Sequence, residues 1–293
     1  MTADKTSLGD GSPSRRPPRR PDGPVGLVAL DLDGTLLDDR KRIDPQTAAA
    51  IGSLAADGVK VVIASARPPR SVRAFHAQLG LDTLAINYNG ALIWDMRRRA
   101  AAFHRPVAAE LARDIVHRAR DFFEDVLVSC EVMDRWYTDR FDPTYTTETG
   151  RLFRPDVIAR LDDFLVRPMT KLLLLGDPRM ILKLEAELTA TFGHLVSVYR
   201  TDPELLQIMD GGAGKGDALR RVAAHYQIPI GRTLAIGDAV NDLDMLDAAG
   251  VGVAMGNASM AVKAAADWVA PSNNDRGVLE AIRRYFPSRR LAV

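Results

Sequence analysis

The chain has 293 residues, 46% of them hydrophobic, with a formal net charge of +1 and a single cysteine, Cys130. The length admits two domains with sizeable cores, the near-neutral charge gives no case for nucleic acid or another polyanionic partner, and one cysteine excludes a disulfide framework and suits a reducing cytoplasm. No apolar run approaches the ~18 residues that a membrane helix needs, and the histidines at 76, 104, 117, 194 and 225 lack zinc-ligand spacing.

Residues 1–24 contain Ser12-Pro13-Ser14-Arg15-Arg16-Pro17-Pro18-Arg19-Arg20-Pro21. Prolines at this density forbid a helix or central strand, and the segment is expected to be a disordered tail. The arginine pairs do not make a twin-arginine signal, because the required apolar segment is missing. From Val25 a βα rhythm begins. Leu27–Leu30 is a buried strand that runs into Asp31-Leu32-Asp33-Gly34-Thr35. Asp44 and Pro45 supply an N-cap and first-turn proline for a helix to about Asp57, stopped by Gly58. Val59–Ala64 is a continuous apolar run, as in a parallel strand covered on both faces. A helix over Pro69–Leu79 and a strand over Leu84–Asn87 follow.

Over 92–209 the rhythm changes. Strand-like pieces (Val126–Cys130, Trp136–Thr138, Leu172–Leu175, Leu195–Tyr199, Leu205–Met209) alternate with two helices. One helix covers Val107–Phe123, with Leu111, Ile115, Ala119 and Phe122 on one face; the other starts at Asp177-Pro178. Arg97-Arg98-Arg99 reads as a hairpin turn. The mixture predicts an inserted α/β (α+β) cap domain interrupting an α/β core made of 25–91 and 210–293. After Gly214 the βα rhythm resumes: helix Lys215–Tyr226, strand Thr233–Ile236, helix Asn241–Ala248, strand Val251–Ala254, a short helix from Ser259, strand Trp268–Val269 and a last helix to Phe286. The fold class expected is α/β, a Rossmann-like doubly wound parallel sheet with an inserted cap.

Ligands of such sheets bind just beyond the carboxyl ends of the strands. Four polar clusters fall at such ends or at a helix start facing them. Asp31 and Asp33 follow the first strand, and Ser65-Ala66-Arg67 follows the second. Gly237-Asp238-Ala239-Val240-Asn241-Asp242 follows Leu234-Ala235-Ile236, and Lys215 opens a helix behind Gly211-Gly212-Ala213-Gly214. A plain surface turn explains Asp-Gly taken alone; it does not explain several acids gathered beside a lysine and a serine. A hard divalent cation sharing its oxygen ligands with a phosphate ester does.

Together these segments resemble the four motifs of the haloacid dehalogenase (HAD) superfamily. Asn87-Tyr88-Asn89-Gly90-Ala91 and Gly252-Val253-Ala254-Met255-Gly256-Asn257-Ala258 are similar to its Cof-type (type IIB cap) branch. The likeness covers about residues 25–287. It implies a Mg²⁺-dependent phosphatase working through an aspartyl-phosphate. By the resemblance Asp31 is the nucleophile and a metal ligand. Asp33 is the acid and base at the leaving group and water, and its main-chain carbonyl is a metal ligand. Asp238 is the third metal ligand. Ser65, Lys215, Asn241 and the amides of Leu32 and Ala66 bind phosphate, while Asp242, Arg67 and Asn89 support them. The branch acts on sugar phosphates and flavin- or nucleotide-pathway phosphates, so the expected partner is a small phosphorylated metabolite, with no nucleic acid and no membrane, and the protein a cytoplasmic monomer or homodimer. The branch usually has glycine where Ala66 stands. Alanine is strained if the backbone there needs a positive φ; otherwise its amide serves equally, which is the case expected here.

Gly211–Gly216 mimics a P-loop but has Met209 at the first glycine position and Gly216 in place of the Ser/Thr that would hold Mg²⁺. Gly250–Gly256 has the wrong spacing for a dinucleotide fingerprint. Asp38–Arg42 reads as an exposed flap tip. Arg135, Tyr137, Arg140 and Tyr145 are candidates for cap contacts to a leaving group, with packing or solvation as the competing role for each. Two rival functions use the same fold: a phosphomutase, dependent on a bisphosphate activator, and a non-catalytic metabolite-phosphate sensor, which would normally lack one of the acids retained here.

Overall fold

The computed structural model describes residues 18–142, 144–145 and 148–287. In chain order its strands are β1 (Leu27–Leu30), β2 (Lys60–Ile63), β3 (Leu84–Asn87), β4 (Leu92–Asp95) and β5 (Ala100–His104). Then come β6 (Leu127–Val132), β7 (Arg135–Thr138), β8 (Val157–Ile158), β9 (Lys171–Leu175), β10 (Val196–Asp202) and β11 (Leu205–Asp210). The last three are β12 (Thr233–Gly237), β13 (Val251–Ala254) and β14 (Trp268–Val269).

The core sheet is parallel, in the order β14-β13-β12-β1-β2. A parallel bridge between Ala64 and Ile86 brings β3 alongside its far edge. Successive β1 residues serve opposite layers: Val28 and Leu30 pack into one apolar cluster, Leu27 and Ala29 into the other. That is why the strand reads as an unbroken apolar run. The helix Pro45–Ala56 is capped as its sequence predicts, the Asp44 carboxylate accepting from the amides of Gln46 and Thr47. The helix expected at Asn241 begins instead as a 3₁₀ turn over Val240–Asp242 and becomes α-helical over Leu243–Ala248. The Asp242 carboxylate turns back to the amides of Asp238 and Ala239, each at 3.0 Å, which tightens this first turn.

The inserted sheet has six strands in the order β10-β11-β9-β6-β7-β8. One face, with Val128, Cys130, Leu172, Leu174, Leu206 and Ile208, packs on the helices Ala109–Phe122 and Pro178–Phe192. Phe122, expected on the buried face, is 39% exposed where its helix ends. The opposite face carries Leu127, Leu173, Leu175 and Leu205.

Two segments differ from expectation. The division expected after residue 91 cuts a continuous ladder, since β4 pairs with β3 and β5 with β4. Arg97–Arg99 does lie in the connection between β4 and β5, but that hairpin extends β3 and has no place in the six-stranded sheet. The tail is the second case. Residues 1–17 lie outside the described residues, while 18–24, assigned to the disordered tail, are held against the core. The Arg19 guanidinium donates to the carbonyls of Leu246 (2.7 Å), Asp247 (2.7 Å) and Ala249 (2.8 Å), and Arg19 pairs with Asp267 at 2.9 Å. A cation thus satisfies carbonyls left over at the C-terminal end of Leu243–Ala248. The Asp22 amide adds a bond to the Gly231 carbonyl.

Candidate active site

Pairing β1 with β12 in register places Leu30 beside Ile236, so the residues after both strands emerge at one edge. There Lys215, fully buried at the start of its helix, donates from Nζ to Asp31 Oδ1 and to Asp242 Oδ1, each at 2.6 Å. Burial pulls the ammonium down, but the two carboxylates outweigh it and hold Lys215 above its ordinary value. Burial pushes the Asp31 carboxyl up to about 7 against the pull of Lys215, with repulsion from Asp242 and Asp238 added.

Asp238 stands over the Asp31-Leu32-Asp33-Gly34-Thr35 turn. Its Oδ1 accepts from the Thr35 hydroxyl at 2.8 Å, and Asn257 Nδ2, 3.5 Å from Oδ2, also donates to the Gly34 carbonyl at 2.8 Å. Gly34 has a φ of +81°, and a Cβ there would sit 2.4 Å from Asp238 Oδ2. Glycine is therefore required both by conformation and by the approach of the carboxylate. Burial pushes Asp238 up to about 6 despite the Thr35 hydroxyl. Asp31, Asp238 and Asp242 each offer an oxygen, all within 4.8 Å of one another. Both Asp242 oxygens are already engaged, one by Lys215 and one by the two amides, so Asp242 serves to orient. Three carboxylates face one ammonium, and the surplus negative charge in an all-oxygen setting fits a hard divalent cation.

Asp33 points elsewhere. Arg67 grips it with Nε and Nη2, both at 2.6 Å, and Lys41 adds a third bond at 2.6 Å. Burial raises its carboxyl, but the hydrogen bonds from Arg67 and Lys41 outweigh burial and leave it below its ordinary value. Its side chain is outside the carboxylate cluster; the resemblance assigned only its main-chain carbonyl to the metal. Lys41, expected at an exposed flap tip, reaches back across that flap.

Ser65 is buried at the end of the second strand segment, and its Oγ accepts from the Arg67 amide at 3.2 Å. Ala66 is not among the described residues with positive φ, so its backbone makes no demand for glycine. The side chain of Leu32 is fully buried in the core beside Asp31. Asn241 is exposed and donates to Asn89 Oδ1 at 2.9 Å, which ties the third strand's exit to the Asp238 loop.

The contacts of the four cap candidates lie within the inserted unit. Tyr137 is buried against Phe164, and Arg135 lies over the Tyr137 ring. Arg140 donates to the Asp125 carbonyl, and Tyr145 packs on Leu127, Leu173, Leu175 and Leu205. Instead, Tyr199 and Met209 of the inserted sheet share a cleft with Asn89, Asn241, Val240 and the start of the Lys215 helix. Tyr199 has the strand period in its favour, since its neighbours Val196 and Val198 belong to the opposite, helix-covered face. Thr35 and Asn257 belong to the recognised motifs but had no role assigned from sequence.

Comparison with known proteins agrees with this geometry. The family model for haloacid dehalogenase-like hydrolases matches residues 28–282. The 5-amino-6-(5-phospho-D-ribitylamino)uracil phosphatase YitU of Bacillus subtilis is 30% identical, over 89% of this chain and 97% of its own. The HMP-PP phosphatase of Serratia proteamaculans is 30% identical over 79% of this chain and 84% of its own. Among solved structures, a haloacid dehalogenase-like hydrolase from Bacteroides thetaiotaomicron superposes with a TM-score of 0.80 at 27% identity, covering 89% of this chain and all (100%) of that one. With motif residues meeting at one sheet edge and phosphatases as full-length relatives, the chain belongs to the haloacid dehalogenase-like hydrolase family and is an enzyme of the phosphoric monoester hydrolase class.

Proposed function

We propose that the protein is a Mg²⁺-dependent phosphatase of small phosphomonoesters that acts through an aspartyl-phosphate on Asp31. The observation that carries this is the buried Asp31–Lys215–Asp242 array with Asp238 beside it, a cluster with excess negative charge at the ligand-binding edge of the sheet. Asp31, Asp238 and the main-chain carbonyl of Asp33 would hold the ion. When bound, Mg²⁺ offsets the surplus charge and that of the phosphate.

The residues do the rest. Lys215 holds Asp31 in place and opposes the burial that disfavours its charge. The Ser65 hydroxyl, the amides of Leu32 and Ala66, and the Asn241 side chain receive the phosphoryl oxygens. Asp31 forms a bond to phosphorus as the bond to the leaving oxygen breaks, and Asp33 gives that oxygen a proton. Water then attacks phosphorus and loses a proton to Asp33, which releases inorganic phosphate and restores Asp31. Covalent catalysis of this kind divides one hard displacement into two. Arg67 and Lys41 hold Asp33 ionised at rest, the form needed for the second half; to protonate the leaving group Asp33 must be released from them. The inserted sheet, through Tyr199 and Met209, closes the leaving-group side and limits access of water. The relatives' names, a phosphatase of a phosphorylated ribitylaminouracil and an HMP-PP phosphatase, support a small phosphorylated metabolite as substrate; the family resemblance narrows this to a sugar phosphate or a flavin- or nucleotide-pathway phosphate. One buried cysteine fits a cytoplasmic setting, and no described helix is long and apolar enough to cross a membrane.

The test is release of inorganic phosphate from a panel of phosphorylated metabolites. With Mg²⁺ at least one is expected to be hydrolysed, EDTA stops the reaction, and added Mg²⁺ restores it. Activity indifferent to chelation would remove the metal. Transfer that needs a bisphosphate activator and frees little phosphate would point to a mutase. A linked effect appears in stability. Asp31 and Asp238 keep their protons to about 7 and about 6 in the fold, above the ordinary carboxylate range. The metal-free folded protein therefore binds more protons than the unfolded chain across this window, and their contribution to stability falls as pH rises from about 4 to about 7. Mg²⁺ is expected to raise the melting temperature more at about pH 8 than at about pH 5; an equal rise at both would contradict this charge assignment.

A further inference from the structure

Asn87–Gly90 joins the pieces of the phosphate site. Tyr88, Asn89 and Gly90 have φ values of 49°, 51° and 96°, three left-handed residues in succession. Only glycine adopts that region freely, so a tyrosine there persists when its surroundings enforce it. On the core side Asn87 Nδ2 donates to the Arg67 carbonyl at 3.0 Å, and the Asn89 amide to the Ser65 carbonyl at 3.1 Å. Asn89 Oδ1 accepts from Asn241. Gly90 lies so close to the Lys215 loop that a Cβ would sit 2.1 Å from the Gly214 carbonyl oxygen. The turn therefore touches the segments carrying Ser65, Arg67, Lys215 and Asn241.

The Tyr88 amide donates to the Arg67 carbonyl at 3.4 Å, but the partners of its hydroxyl come from the inserted unit. Its side chain is fully buried. The hydroxyl donates to the Met133 carbonyl at 2.7 Å, with a Glu131 carboxylate oxygen at 3.2 Å, and Lys171 Nζ lies 5.1 Å from the ring centre. Met133 sits at the tip of the β6–β7 hairpin, and that tip is seated on the core helix Pro69–Gln78. Arg70 binds Glu131 at 2.6 Å, its amide donates to Asp134 at 2.7 Å, and Arg73 binds Asp134 at 2.9 Å.

We propose that Tyr88 is a positioning residue: its buried hydroxyl, bound to the hairpin tip of the inserted unit, fixes the left-handed turn so that Asn89 is held against Asn241 and Ser65 at the phosphate site. Seating of the inserted unit and assembly of the phosphate pocket are then one event. This rests on the phosphatase function above, and a double-mutant cycle separates the two. The full chain, Tyr88→Phe, Asn89→Ala and the double variant are assayed with Mg²⁺ and p-nitrophenyl phosphate, with melting temperatures measured in parallel. Tyr88→Phe keeps the ring and loses the hydroxyl. It is expected to lower kcat/KM about tenfold, the scale of one hydrogen bond, and to change it less than about twofold once Asn89 is alanine. Should Tyr88→Phe fail to fold, Asp134→Asn, which loosens the same seat from a less buried position, must show the same dependence on Asn89. Equal losses in both backgrounds, or none in either, would overturn the role of Tyr88 while the phosphatase function stands. If the parent does not hydrolyse p-nitrophenyl phosphate, the cycle is read with a metabolite of the panel that it does hydrolyse; a parent inactive on the probe and on the whole panel would overturn both.

Discussion

Asp31→Asn is expected to lower phosphate release at least about a thousandfold, because in the proposed mechanism Asp31 forms the bond to phosphorus. The variant should fold. Asparagine matches aspartate in shape, and Lys215 keeps its 2.6 Å partner Asp242. Asparagine also removes one of the carboxylates whose burial and mutual repulsion disfavour their charge in the fold. In EDTA at about pH 8 the melting temperature is therefore expected to equal or exceed that of the parent. Loss of activity with loss of fold would leave Asp31 a structural residue. Retained activity would remove it as nucleophile.

Lys215→Met should act on both fold and activity. The ammonium is fully buried between Asp31 and Asp242. Methionine fills a similar volume but leaves two buried carboxylates facing one another without a cation, and breaking a buried pair from one side costs about 3–5 kcal/mol. A fall of that size in unfolding free energy is expected without metal, with turnover lost. Mg²⁺ should recover part of the stability, since it binds only the folded cluster, but not the activity, because the phosphate and Asp31 have lost their charge partner. A variant as stable as the parent in EDTA would contradict the charge balance assigned to the cluster. The contrast between the two substitutions is informative: one relieves the surplus negative charge and the other increases it.

The gathering of the candidate site residues was legible because each motif is local in sequence and their meeting is fixed by topology. Asp31, Ser65 and Asp238 each follow an apolar strand, and parallel strands leave their following residues at one edge. Contacts made across the fold were not legible. Arg19 looked like part of a proline-rich tail; composition reports the cost of ordering a segment and cannot show that one guanidinium will cap a helix from a distant part of the chain. Lys41 lies at an exposed flap tip as its sequence suggests, but nothing local reveals that its ammonium reaches back to Asp33. The turn at Arg97–Arg99 was visible, but the partner of its hairpin, β3, depends on edge pairing that carries no sequence label. Among cap residues, aromatic character drew attention to Tyr137, yet strand alternation decides which side chains face the core, and Tyr137 lies on the helix-covered face. That alternation puts Tyr199 opposite to Val196 and Val198, and it lines the same cleft as Asn89.

The most direct examination of this chemistry is to quench the parent enzyme with acid during turnover and map its peptides by mass. Phosphorylation confined to the peptide bearing Asp31, and absent from Asp31→Asn, is the result expected if that carboxylate receives the phosphoryl group. Sustained phosphate release with no such adduct at any quench time, or with the adduct on another residue, would contradict it.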